Sequence, residues 1–217
     1  MSLQSCWGDR LVEQAAFPEE GAWGRMALLL MNRVNGGTSR WLLRRVMKLR
    51  GGKEDILEVG CGGGRHMAYM VQRTWGMVCG VDPSSAAVRK ASWVNRFGIA
   101  LGREEVKQGG VEALPYGDGR FDVVTAIEST YFWPSLSLGL IEIQRVLRPG
   151  GKVYICNSAT ERQGSLQLRK DFLVPIHTPL QIEERLQEIG FENIDRHRHP
   201  HDAQLVCVEA QKKGRVE

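Results

Sequence analysis

A glycine-rich turn preceded by an acidic residue is the part of this chain whose residue types and spacing could do chemistry. Four glycines fall within Gly60–Gly64, directly after the apolar run Ile56–Val59 and before residues that favour a helix. Glycine carries no side chain that would hold a ligand away, so backbone groups at such a turn can approach a nucleotide-like molecule closely. The pattern predicts a buried strand, a ligand-binding turn and the start of a helix.

The spacing around this turn narrows the choice of ligand. A dinucleotide fingerprint needs a small sixth residue, but the sixth position counted from Gly60 is Arg65, and no P-loop lysine follows. Glu58, just before the turn, would repel a pyrophosphate and suits a cationic ligand. Asp82 ends the next apolar run, Met77–Asp82. It could accept hydrogen bonds from ribose hydroxyls, or it could cap the helix that follows.

Four motifs in a fixed order resemble those of class I S-adenosylmethionine-dependent methyltransferases. They are EVGCGGG at 58–64, GVDP at 80–83, VEALPY at 111–116 with GRFDVVT at 119–125, and VLRPGGKV at 146–153. The resemblance covers residues 50 to 210 and is to the methyltransferase type 11-like, small-molecule branch. It implies S-adenosyl-L-methionine as the cofactor and a small molecule as the methyl acceptor.

Strand and helix patterns alternate along most of the chain. They predict an α/β, Rossmann-like fold with a seven-stranded, mostly parallel sheet, helices on both faces and a C-terminal antiparallel hairpin. The predicted strands are 56–59, 77–82, 106–108, 121–127, 152–157, 191–198 and 204–210, and the predicted helices are 65–74, 85–97, 135–147 and 180–189. Residues 51–217 form the predicted methyltransferase domain. Residues 1–50, with amphipathic helices at 23–32 and 39–47, form a predicted helical lid or appendage.

The resemblance assigns cofactor contacts residue by residue. The turn and helix start would approach the methionine part of the cofactor, and the carbonyls of Gly60 and Ile127 would receive its ammonium group. Asp82 would hold the ribose. Adenine would contact Val111 and Glu112, because Gly110 stands where many members carry an aspartate. The full predicted set is Glu58, Gly60, Cys61, Gly62, Arg65, Asp82, Pro83, Val111, Glu112 and Ile127.

Methyl transfer mainly requires the two reactants to be held in line, because the sulfonium is already electrophilic. A base is needed only if the acceptor must lose a proton, and the candidates are Glu128, Tyr131 and His177. Glu128 follows the fourth predicted strand. The sequence Glu-Ser-Thr-Tyr there differs from the Asn-Pro-Pro-Tyr-like motif of amino-directed DNA and protein methyltransferases. His177 could equally be a surface or capping residue.

Composition limits the partners that we expect. The net charge is +4, from 29 basic and 25 acidic residues that are dispersed, so no nucleic-acid partner is predicted. Five cysteines without a C-x-x-C pair indicate reduced thiols and a cytoplasmic protein. The apolar run Met26–Met31 is too short to span a bilayer, so no membrane partner is predicted.

Three further interpretations complete the sequence-based prediction. The alternating histidines His197, His199 and His201 flank Pro200 and predict a polar hairpin turn rather than a metal site. A monomer or a homodimer is expected. The rival functions are an RNA or protein methyltransferase and a non-catalytic S-adenosylmethionine-binding protein.

Overall fold

A computed structural model describes residues 21, 24, 26, 40–49, 51–158, 164–169 and 172–214. For 164–169, 172–176, 203 and 204 it describes the backbone only. Within these residues the strands are β1 (Ile56–Val59), β2 (Val78–Asp82), β3 (Glu104–Gln108), β4 (Phe121–Ile127), β5 (Leu147–Ser158), β6 (Gly164–Arg169), β7 (Phe172–Ile176), β8 (Phe191–His199) and β9 (Asp202–Lys212). The α-helices are α1 (Arg65–Met70), α2 (Ser85–Val94), α3 (Arg96–Ala100), α4 (Leu136–Val146) and α5 (Pro179–Ile189).

Seven of these strands form one sheet in the order β3-β2-β1-β4-β5-β9-β8. Strands β1 to β5 run parallel, whereas β9 is antiparallel to β5 and β8 is antiparallel to β9. The predicted fold class and the C-terminal hairpin are therefore confirmed. The chain leaves β1 towards β2 on one side, and β4 lies on the other. Ligands of open α/β sheets bind at such a switch point, outside the carboxyl ends of the strands.

Alternating side chains of the central strands bury the two faces of the sheet. Leu57 of β1 and Val124 of β4 belong to an apolar cluster that includes Leu140 of α4 and Leu186 of α5. On the other face, Ile56 packs in a cluster with residues of α1, α2 and the helical turn Leu42–Val46. Burial on both faces explains why β1 reads as a continuous apolar run broken only by Glu58.

Helix boundaries follow from capping residues that the sequence supplies. The hydroxyls of Ser84 and Ser135 accept the N–H groups of Ala87 and Leu138 at the starts of α2 and α4. Thr178 begins α5 with a capping box. These contacts satisfy N–H groups that have no partner within the helix.

The predicted helix 85–97 is wrong in one respect, because it is broken into α2 and α3 at Asn95. The Asn95 side chain donates to the carbonyl oxygens of Gly64 and Ala91, both at 3.0 Å. Predicted helix 65–74 likewise ends early, at Met70. Prediction also missed the hairpin formed by β6 and β7, and the first five residues of β5.

The N-terminal lid stays a prediction. Helix 23–32 lies outside the described residues apart from Gly24 and Met26, which are helical. The described turn Leu42–Val46 buries Leu42 against the sheet face that α1 covers. Across the described ranges, no helix combines the length and apolar character that crossing a membrane requires.

Candidate cofactor and active site

The glycine turn is tightly packed at its two ends and open in its middle. Gly60, Gly62 and Gly64 all have positive φ, at 76°, 51° and 77°, which favours glycine. A Cβ on Gly60 would lie 2.5 Å from the Ser129 Cβ, and one on Gly64 would lie 2.7 Å from the Ala91 Cα. A Cβ on Gly62 would meet nothing within 4 Å. The space beside Gly62 can therefore admit a ligand.

Backbone N–H groups of the turn bond within the protein. Those of Gly60 and Cys61 both donate to the Val81 carbonyl, at 2.8 and 3.0 Å. The Gly62 N–H donates to Oδ2 of Asp82 at 2.9 Å. We expected these donors to face the ligand, but in the structure they fix the turn against β2. The turn thus contributes shape and room at Gly62 more than free N–H groups.

Asp82 joins the glycine turn to the start of α2. Its Oδ2 accepts from Gly62, its Oδ1 accepts from the Ser84 N–H at 2.9 Å, and the residue is only 8% exposed. Burial raises the pKa of this carboxyl above its usual range. The N-cap of α2 is Ser84, so Asp82 is not itself the cap. Each carboxylate oxygen keeps a second acceptor position, which a ribose hydroxyl could use.

Glu58 lies in a fully buried polar cluster on the face of the sheet that α1 covers. Nδ1 of His66 lies 3.1 Å from its Oε1, and the Thr125 hydroxyl donates to its Oε2. Glu58 has no exposed surface and His66 is 7% exposed. Sequence analysis missed His66, because nothing in the order of residues shows which position of α1 faces β1.

Glu128 lies at the carboxyl end of β4 with an uncommon backbone. Its φ is +54°, a conformation that costs energy for a residue with a side chain. The Ser158 hydroxyl donates to Oε1 at 2.8 Å and the Tyr131 hydroxyl lies 3.3 Å from Oε2. Burial raises the pKa of Glu128 above its usual range, against the opposing effect of the Ser158 hydroxyl.

Comparisons with known proteins now bear on this site. The model of the methyltransferase domain family matches residues 57–155, which span both the glycine turn and Glu128. YrhH of Bacillus subtilis, a candidate methyltransferase, is 32% identical over 122 residues, which cover 54% of this chain and 67% of YrhH. The chain belongs to the S-adenosylmethionine-dependent methyltransferases. S-adenosylmethionine is its cofactor.

Other relatives agree with this membership and differ in length. The 27-O-demethylrifamycin SV methyltransferase of Amycolatopsis mediterranei is 29% identical over 189 residues, or 87% of this chain. The chain spans 61% of that relative's length. A methyltransferase structure from Methanosarcina mazei has the same fold, with a TM-score of 0.63 and 21% identity. The alignment covers 78% of this chain and 97% of that one.

The residues present fit a methyltransferase cofactor, which is a sulfonium cation with a ribose. Open space lies beside Gly62, and Asp82 is near it. Among the described residues, neither Glu58, Asp82 nor Glu128 forms an ion pair with a lysine or an arginine. In the part of the chain that the structure describes, a cation that enters the site would therefore meet carboxylates that no lysine or arginine neutralises, with His66 the basic side chain beside Glu58.

The other predicted cofactor residues differ in how far they are exposed. Ile127 and Val111 are buried, at the end of β4 and in the turn 111–113. Burial, with the charges of Asp82 and Glu58, raises the pKa of the Cys61 thiol well above its usual range, so its backbone is the part available for binding. Pro83 is exposed and Glu112 partly so.

Two predicted residues face elsewhere or stay outside the cluster. Arg65 is exposed, and its Nη2 donates to the Tyr69 hydroxyl at 2.9 Å. His177 is partly exposed just after β7, and both burial and the Arg185 charge lower its pKa. His177 follows β7, whose backbone lies beside the turn 130–132 near Glu128.

The histidine run is not confined to a turn as predicted. His197 and His199 lie within β8, and the turn comprises Pro200 and His201. Nε2 of His197 is 2.9 Å from Oε2 of Glu209, and the His199 ring packs edge-on against Trp41. Within the described residues, no three histidine, cysteine or acidic side chains form a group that could hold a metal.

Proposed function

We propose that this methyltransferase transfers the methyl group of S-adenosylmethionine to a small-molecule acceptor. We also propose that Glu128 takes the acceptor's proton where one must leave. The cofactor, when bound, supplies an electrophilic methyl group. The residues of the chain then have to bind, to orient and to move a proton.

The observation that carries this proposal is the environment of Glu128. The carboxyl is partly buried, its pKa is raised by that burial, and the strained backbone positions it at the end of β4. A carboxyl with a raised pKa is a better proton acceptor than an exposed one at neutral pH. Tyr131, whose pKa burial raises far above neutrality, serves instead to orient Glu128.

We assign the cofactor to the cluster around the glycine turn. Asp82 would accept the ribose hydroxyls, and the open side of Gly62 would receive the methionine part. The Gly60 and Ile127 carbonyls would accept from the ammonium group, while Val111 and Glu112 would flank the adenine. Glu58 is held by His66 and Thr125. We therefore assign it two roles: it supports the glycine turn, and its negative charge stabilises the bound cation.

Names of relatives support a small acceptor without identifying it. One relative is named for a rifamycin, another for fatty acids and a third for a sterol. A relative named for tRNA U34 carboxymethyl transfer keeps RNA as the rival. These names describe those proteins, and the acceptor of this chain needs an experiment.

The experiment is a methyl-transfer screen with S-adenosylmethionine labelled in its methyl group. The purified protein is incubated separately with the metabolite, RNA and protein fractions of a cell extract. We expect label in the metabolite fraction, and Glu128→Gln should remove most of it. Glu183→Gln is the matched control. Glu183 of α5 pairs with Arg196 of β8, away from the glycine turn.

Each contrary result has a distinct meaning. Label in RNA or protein alone would contradict the small-molecule acceptor. Binding of S-adenosylmethionine by calorimetry without transfer to any fraction would favour a non-catalytic binding protein. Full activity of Glu128→Gln would contradict the role of Glu128 and leave the cofactor assignment intact.

A further inference from the structure

Four large apolar side chains on one side of the molecule are strongly exposed. They lie between 61% and 78% exposed, which is unusual for residues of this size grouped in a folded domain. Three come from α2, α3 and the residue that follows α3, at a spacing of four residues. The four are Trp75, Trp93, Phe97 and Leu101.

Basic side chains lie directly over the aromatic rings. Lys90 Nζ is 4.6 Å from the centre of the Trp93 ring. The Arg96 guanidinium lies 4.9 Å from Trp93 and 4.4 Å from Phe97, so it joins the two rings. Arg103 lies 5.4 Å from the centre of Trp75.

We call these residues together the aromatic–basic patch. It comprises Trp75, Trp93, Phe97 and Leu101 with Lys90, Arg96 and Arg103. The Arg103 N–H donates to the Gly98 carbonyl at 2.8 Å, which connects the half around Trp75 to the half around Phe97. The composition showed basic residues dispersed along the chain, but the fold gathers three of them here.

The patch adjoins the cofactor turn. Asn95 lies between Trp93 and Arg96, and its side chain donates to the Gly64 carbonyl at 3.0 Å. Asn95, at the break between α2 and α3, thus joins the Trp93 half of the patch to the glycine turn. The Trp75 half lies at the amino ends of β2 and β3, where the Val78 N–H donates to the Arg103 carbonyl at 3.0 Å, and therefore at the edge of the sheet opposite the cofactor site.

We propose that the aromatic–basic patch binds an anionic lipid surface. Tryptophan and phenylalanine settle at the boundary between headgroups and acyl chains, and lysine and arginine are attracted to acidic headgroups. The sequence predicted no membrane partner because no run is long enough to span a bilayer, and the proposal departs from that prediction, since surface attachment needs no spanning helix.

The arrangement favours a lipid surface over single-stranded RNA. RNA-binding aromatics offer their ring faces to bases, and their basic neighbours contact phosphates. In this patch the basic groups already cover faces of Trp93, Phe97 and Trp75. Leu101, the most exposed of the four, has no ring to stack and suits insertion among acyl chains.

The test is co-sedimentation of the whole chain with vesicles of phosphatidylcholine alone or mixed with phosphatidylglycerol. We expect binding to the mixed vesicles and weakening as salt rises. Lys90→Gln with Arg96→Gln should lower the partition coefficient about fivefold for each charge removed. Trp93→Ser with Phe97→Ser should lower it at least tenfold, because the inserted apolar area is lost.

Leu138→Ser with Ile141→Ser is the matched control. Both residues are exposed apolar side chains on α4, away from the patch, and their replacement should leave vesicle binding unchanged. Thermal melting confirms that each variant is folded. Because the assay needs no methyl acceptor, its outcome is independent of the proposed function.

Three results would overturn the proposal. They are no binding to mixed vesicles, equal binding to both vesicle types, and patch variants that bind as well as the unaltered chain. Binding of an oligoribonucleotide that the patch variants lose, with vesicles ignored, would assign the patch to RNA and also reject the lipid surface.

Discussion

The carboxylates at the two ends of the central sheet have different hydrogen-bond donors. At the amino end, Asp55 accepts from Arg120 Nη1 at 2.6 Å, from Arg148 Nη2 at 3.0 Å and from the Met77 N–H at 2.9 Å. Asp122 pairs with Arg148 as well. At the carboxyl end, Asp82 and Glu128 are held by backbone N–H groups and hydroxyls instead.

This difference appears in the direction of the pKa shifts. Burial would raise the pKa of Asp55, but hydrogen bonds from Met77, Arg148 and Arg120 outweigh it and lower that pKa. For Asp82 and Glu128 burial prevails and the pKa rises. The amino end uses charge to hold strands together. Within the described ranges, Asp82 and Glu128 at the carboxyl end pair with no lysine or arginine, which suits a cationic cofactor.

The largest effect that we predict is on turnover at the carboxyl end. Glu128→Gln keeps the size of the side chain and one oxygen that can accept from the Ser158 hydroxyl, but it replaces the oxygen that accepts from Tyr131 with a donor and removes the proton acceptor. It should lower methyl transfer by roughly 100- to 10,000-fold if the acceptor must lose a proton. Cofactor affinity, measured by calorimetry, should change less than about threefold, since Glu128 is assigned to the acceptor. Loss of affinity and turnover together would contradict this division.

Next in size is the effect of Asp82→Ala on cofactor binding. The substitution removes the proposed acceptor of the ribose hydroxyls and frees Gly62 from its brace. Hydrogen bonds to a charged group contribute about 1.5–3 kcal/mol each, so affinity should fall at least about 100-fold. Calorimetry with S-adenosylmethionine measures it, with Asp122→Ala as the amino-end control. Unchanged affinity in Asp82→Ala would overturn the ribose assignment.

Asp55→Asn should change stability and leave the cofactor site alone. It should lower the free energy of unfolding by about 1–3 kcal/mol, because Arg120 and Arg148 lose a shared partner that is itself partly exposed. The Asp55 contribution is complete above its unfolded pKa near 4 and is lost as pH falls through its lower folded pKa. Denaturant unfolding across pH measures both. If Asp55→Asn kept full stability but bound the cofactor more weakly, the assignment of Asp55 to stability alone would be wrong.

Glu104, the first residue of β3, is an exception at the amino end, and its effect should be the smallest. Its Oε1 is buried and has no hydrogen-bond partner among the described residues, and burial raises its pKa from 4.5 to about 7. Its stabilising contribution is complete below pH 4.5 and is lost as pH rises through about 7. Glu104→Gln should therefore stabilise the protein by roughly 1–2 kcal/mol at pH 8. Equal unfolding curves at pH 8 would argue against a buried, unpaired Glu104.

Elements with strong local signals could be predicted from the sequence, and contacts across the sheet could not. The runs at 56–59 and 121–127 are apolar because both faces of those strands are buried. The break at Asn95 depends on Gly64, 31 residues away, and the contact of Ser158 with Glu128 spans 30 residues. The residues near each position do not indicate such distant contacts. A single helix was therefore predicted over 85–97, and Ser158 was not predicted as a site residue.

The candidate site shows the same division at the level of single residues. Glu58, Gly62 and Asp82 could be predicted as site residues because they lie in a short motif or at a fixed distance from it. His66 lies within the same stretch but was missed, because its role depends on how α1 packs on β1. The predicted approach of the Arg65 backbone to the cofactor stays a prediction, and its side chain donates to Tyr69 one helical turn away.

The double hydrogen bonding of Asp82 has a consequence for the thermodynamics of binding. Because one carboxylate holds both Gly62 and Ser84, the glycine turn and the start of α2 are rigid relative to each other before any ligand arrives. The conformational entropy of these two backbone segments is then lost when the chain folds. Cofactor binding does not have to order them again. Association should accordingly resemble that of a preformed cleft, with little change in backbone protection of residues 60–64 and 82–85 on hydrogen exchange.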